Sequence, residues 1–161
     1  MDASKADFLR YRFVTLLRQI PSDTRPQWGK MTLQQMIEHF ADSVRIASGR
    51  TLHTEILTPP GQLDKMRAFL KSDKPFRPNT PNSLLPETPA PVRNPSVEDA
   101  LQELQGEWRY FFELFEKKRT HVTRNPFFGD LNFEENVQLL HKHALHHLAQ
   151  FGITPAGNRE A

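Results

Sequence analysis

The stretch His141-Lys142-His143-Ala144-Leu145-His146-His147-Leu148-Ala149-Gln150-Phe151-Gly152 places four of the chain's seven histidines within seven positions. Its period is helical. Val137, Leu140, Ala144, Leu148 and Phe151 form one apolar stripe, with Asn132-Phe133-Glu134-Glu135 as a capping box ahead and Gly152 and Pro155 as stop signals behind. On such a helix His143 and His147 lie one above the other, the arrangement in which two imidazoles grip one transition metal. At 100° per residue, Asn136, His143, His147 and Gln150 fall within about 60° of one another beside the stripe, whereas His141 and His146 lie outside that column. A third ligand must come from elsewhere in the chain.

The best source is a second amphipathic helix. Thr32-Leu33-Gln34-Gln35 is a capping-box pattern, and Leu33, Met36, Ile37, Phe40, Val44 and Ala47 form a stripe that runs to about Ser48 before Gly49. His39 sits on the flank of this stripe, about 10 Å from the helix start, while the midpoint of His143 and His147 lies about 9 Å before the end of its own helix. These levels coincide only if the two helices are antiparallel. A simple up-down-up-down bundle makes them parallel; a long crossover between the second and third helices gives up-down-down-up and meets the condition.

The rest of the chain supplies that crossover. A first helix is expected from about Ser4 to Gln19 on Leu9, Phe13, Leu16, Leu17 and Ile20, stopped by Pro21. A third runs from the Ser96 cap to about Lys118 on Ala100, Leu101, Leu104, Trp108, Phe111, Phe112 and Phe115, an aromatic density that reads as core. Between residues 49 and 95 only Leu63, Met66, Phe69 and Leu70 suggest a short amphipathic piece. Residues 75–95 hold seven of the thirteen prolines, at 75, 78, 81, 86, 89, 91 and 95, which dictates an irregular or polyproline-like path. The 121–131 connector shows no convincing strand. The expectation is one all-α domain over 1–161, a four-helix bundle with 49–95 as its long crossover.

Composition narrows the chemistry. Twenty-one Lys and Arg against nineteen Asp and Glu give a formal charge of +2, little attraction for nucleic acid or an anionic membrane. The absence of cysteine excludes disulfides, thiolate metal cages and a cysteine nucleophile, so a metal must be held by nitrogen and oxygen. The first residues, Met1-Asp2-Ala3-Ser4-Lys5-Ala6-Asp7-Phe8, lack the apolar run of a signal peptide, and no stretch reaches the roughly 20 apolar residues of a membrane span. A cytoplasmic protein is expected. Three neutral imidazoles leave a coordination position open, the pattern of catalytic sites, and the bound ion makes a thiol or a water acidic enough to react near neutral pH. Imidazole suits zinc, nickel, copper and iron alike.

Trp28-Gly29-Lys30-Met31-Thr32-Leu33-Gln34-Gln35-Met36-Ile37-Glu38-His39, together with the H-x-x-x-H-H-L-x-Q-F-G pattern of residues 143–152, resembles the DinB/YfiT-like superfamily. The resemblance implies a four-helix bundle with the long crossover, often homodimeric. It also implies a divalent transition metal, zinc or nickel first and iron or copper next, on one histidine of the second helix and two of the fourth. Those ligands map onto His39, His143 and His147. Members with known activity include transferases acting on low-molecular-weight thiols, so a small-molecule substrate and a metal-dependent transferase or hydrolase are expected, with the catalytic groups unassigned. The alternative is a non-catalytic metal-binding or stress-associated dimeric interaction protein. Gln35, Glu38, Asn136, His146 and Gln150 are expected to line the site or support its ligands. Asn136 stands where the superfamily often has tryptophan, a change that enlarges or polarises a pocket.

Overall fold

In the computed structural model, residues 3–78 and 88–155 are described; Pro81 and Pro86 of the Pro-rich stretch lie outside them. The described chain is mostly helical, with one small sheet. The first helical region is α1 (Ala3–Asp7), a π-helical turn (Phe8–Arg12) and α2 (Phe13–Arg18) in succession. The Phe13 N–H donates to the Phe8 carbonyl, so residues five apart are stacked, and the two rings meet with centroids 6.4 Å apart. A regular α-helix was expected here. The π turn adds Phe8 to the buried face beside Leu9, Phe13 and Leu17.

The capping boxes form as read. In α3 (Leu33–Ser48) the Thr32 hydroxyl accepts from the Gln35 N–H and the Gln35 side chain accepts from the Thr32 N–H; in α6 (Phe133–Gln150) Asn132 and Glu135 do the same. Gly49, at φ +81°, ends α3 in the left-handed conformation that favours glycine. The short amphipathic piece is a complete helix, α4 (Pro60–Lys71), and Ser96 caps α5 (Val97–Lys117).

The connector differs from expectation. Thr123–Asn125 (β1) and Gly129–Leu131 (β2) pair antiparallel, with Thr123 opposite Leu131 and Asn125 opposite Gly129. At three residues each, the strands are too short for alternation to show in the sequence. The Asn125 carboxamide closes the turn by accepting from the Phe127 and Phe128 N–H groups, and Arg124 pairs with Asp130 across the strands at 2.7 Å.

Long-range pairs give the helix directions. Residue numbers rise together between α3 and α5, from Glu38–Asn94 through Arg45–Glu103 to Arg50–Glu107. They also rise together between α1 and α6 (Lys5–Gln138), and on into the π turn (Phe8–His141). Numbers oppose one another between the first region and α5, where Arg10 pairs with Glu116 and Arg18 with Glu98. They oppose again between α3 and α6: His39 meets His143, while Ala47 connects through Thr123 to Asn136. The main core takes the apolar stripes of the first region, α3, α5 and α6. A smaller cluster of Leu70, Phe128, Leu131 and Leu139 seats α4 and the hairpin on the outer side of α6. No helix among the described residues is long and apolar enough to cross a membrane.

Candidate metal centre

The opposed run of α3 and α6 brings His39 level with the His143–His147 column. The His39 Nε2 lies 3.3 Å from the His143 Nε2, and the His147 Nε2 lies 2.8 Å from that same atom. One nitrogen from each ring falls in a group with no pair farther apart than 4.8 Å. Nitrogens that share one ion at the usual 2.0–2.1 Å stand about 2.9–3.4 Å apart at coordination angles of 90–110°, so the two closest separations suit a common ion.

The hydrogen bonds behind His147 fix its tautomer. Gln150 lies with its Nε2 2.9 Å from the Trp28 carbonyl, which only accepts, so the amide must turn its Nε2 there and its Oε1 toward His147. That Oε1 is 2.8 Å from the His147 Nδ1, which must therefore carry the proton. The Nε2 of the neutral ring is left with a lone pair aimed at its neighbours. His143 has a single Nε2 to offer both His39 and His147, so one N–H there satisfies at most one of them. A cation satisfies all three.

Burial favours the neutral rings that a metal requires. It lowers His39 from 6.5 to about 4, with Asp42 opposing and His146 adding to the effect. His143 and His147 are pushed well below the ordinary histidine value, first by burial and then by the neighbouring imidazoles, against which the Gln150 bond gives His147 only partial relief. Phe40 stacks on His143 at 4.8 Å and 26°, fixing that ring's plane from the core side.

The remaining expected residues have separate places. Gln150 braces His147 directly. His146 is outside the nitrogen group, its ring 5.1 Å from His147, 5.5 Å from Trp28 and 5.9 Å from Phe76. Gln35 is committed to the α3 cap and to the Ala90 carbonyl. Glu38, 4% exposed, accepts from the Arg93 and Asn94 backbone and from the Gln34 and Asn94 side chains. Burial alone would raise its pKa, but these donors outweigh burial and hold it below the usual carboxylate range. Gln35 and Glu38 thus fasten the far end of the crossover to the helix that carries His39. Asn136, 1% exposed, donates to the Thr123 hydroxyl and to the Leu131 and Asn132 carbonyls, anchoring the hairpin instead of facing the histidines. His141 packs on Phe8, on another side of α6. The sequence reading did not find Phe40 or Phe76 at the site. Phe40 counted as one more core residue, and Phe76 stands in an irregular stretch without period.

Among the described residues this is the one group of three such donors; a cleft of about 450 Å³ between the first helical region and α6, lined by Asp7, Phe8, Tyr11 and His141 among others, brings no second set together. The three-histidine group on antiparallel α3 and α6 therefore marks a helical protein with a set of nitrogens that could hold one metal ion. The sequence pattern of the DinB superfamily matches residues 6–151, and the chain belongs to that superfamily, which includes metal-binding proteins. No curated protein and no solved structure matches the chain.

Proposed function

We propose that this protein is a metal-dependent enzyme with His39, His143 and His147 as the ligands of a divalent transition metal, zinc or nickel in first place. The observation that carries the reading is the convergence of three Nε2 atoms, two of them 3.3 and 2.8 Å from the third, with the His147 lone pair aimed inward by Gln150. An ion held there supplies Lewis acidity that favours the deprotonated form of a thiol or a water, the chemistry of a transferase or hydrolase. The chain's own part is to keep the imidazoles neutral by burial, orient His147 through Gln150 and Trp28, and stack His143 on Phe40. The helix directions support a single domain of up-down-down-up topology, with the Pro-rich connection as the crossover that makes α3 and α5 parallel. A homodimer acting on a small molecule accords with the same superfamily reading.

Elemental analysis of protein made without an affinity tag tests the ligand set. One ion per chain is expected in the wild type, and loss of it in both His39→Ala and His147→Ala; unchanged stoichiometric metal in the two variants overturns the assignment. A second reading, a non-catalytic metal-binding protein, is favoured by the aromatic rings of Phe40 and Phe76 against His143. An added small thiol separates the two. A thiol-dependent change in the spectrum of the cobalt-loaded protein supports the enzyme, and its absence supports the non-catalytic reading.

A further inference from the structure

Residues 72–76, which follow α4 within the crossover, are held by one face of α6. Gln138, Lys142 and His146 are four residues apart and so share that face. The Gln138 Nε2 donates to the Ser72 carbonyl at 3.2 Å, and the Lys142 Nζ donates to the same carbonyl at 2.9 Å and to that of Lys74. His146 follows on the same face, its ring edge-on to that of Phe76 at 5.9 Å.

This is a built contact, unlike a tether lying on a surface. Lys142 is only 7% exposed and spends its ammonium on backbone carbonyls, its Nζ 4.6 Å from the centre of the Phe69 ring. Lys5 braces Gln138 from the other side at 2.7 Å. The contact delivers the Phe76 ring, backed by Phe69 at 5.4 Å, edge-on to His143 at 6.1 Å and to His146 at 5.9 Å.

We propose that Phe76 is a selectivity-determining residue of the three-histidine site, and that Lys142 is a positioning residue that holds it against His143. The biological meaning rests on the reading of that site as functional. A molecule approaching His143 from this side meets the aromatic carbon of Phe76, so the ring limits the bulk that reaches that imidazole.

The test measures access to His143 in the metal-free full chain. Diethyl pyrocarbonate is the probe, and tandem mass spectrometry gives the modification rate of each histidine. Phe76→Ala is expected to speed carbethoxylation of His143 about tenfold, and Lys142→Met to do so with the ring intact, while His53 and His121 keep their wild-type rates. Phe76→Leu, which retains apolar bulk, is expected to stay near the wild type. An unchanged His143 rate in Phe76→Ala overturns the proposal, and so does a parallel rise at His53 and His121, which makes Phe76 a general support of the fold. No metal is present in the assay, so a chain that proves unable to bind an ion leaves this outcome standing.

Discussion

Acid should destabilise the metal-free protein in a way that traces to His39. Burial holds this ring down to about 4 from an ordinary 6.5. The unfolded chain therefore takes up a proton near pH 6.5, and the folded chain only near pH 4. Between those values the unfolded state binds more protons, so stability is full above pH 6.5, falls as pH falls, and loses nothing further below pH 4. The depression is worth about 3 kcal/mol in total, at up to about 1.4 kcal/mol per pH unit. His143 and His147 act with the same sign. Carboxylates do not confuse the window. Burial would raise Glu103, but Arg93, Arg45 and Asn94 hold it down to about 2 from 4.5, so its contribution is lost only below that upper value. Urea unfolding in the presence of a chelator, from pH 4.5 to 6.5, reads the slope. His39→Leu should flatten it by about 1.4 kcal/mol per pH unit, the equivalent of one proton. Parallel curves for wild type and variant would refute the argument that His39 is kept neutral by burial.

Other substitutions separate ligand support from scaffold. Gln150→Leu removes the acceptor that fixes the His147 tautomer, and should weaken metal affinity about 10- to 100-fold in competition with a chromophoric chelator. Asn136→Ala should cost about 1–3 kcal/mol, read as a lower urea midpoint at unchanged m, with metal affinity preserved because the residue serves the hairpin. In Gly29→Ala the new Cβ would enter a backbone at φ +80° and stand 3.0 Å from the Gln150 Nε2. A loss of about 1–2 kcal/mol is expected from backbone strain, together with weaker metal binding as Gln150 is displaced from His147; calorimetry and chelator competition check the two effects.

Much of this was legible because it is written in local periods. The capping boxes at Thr32 and Asn132 need only residues three apart, and the stripes of α3, α5 and α6 need only the helical repeat. The coincidence of His39 with His143 followed from helix levels alone, once a crossover was allowed. The π turn escaped because an i to i+5 bond leaves no compositional mark, and the hairpin because its strands are shorter than the alternation that would reveal them. Angular position on a wheel also misled at Asn136. It shares the column of His143 and His147, yet it lies nearly two turns toward the hairpin, where Thr123 and two carbonyls claim its amide.

By itself, then, the sequence determined which faces are apolar, where the main helices begin, and that His143 and His147 share one column, because each of these depends on spacing within a helix. Only the tertiary structure decided the orientation of the Gln150 amide, the stacking of Phe40 on His143, and the seating of residues 72–74 on Gln138 and Lys142. Those contacts join segments from a few to more than a hundred residues apart. Their partners are backbone carbonyls and ring faces, which every sequence offers and none advertises.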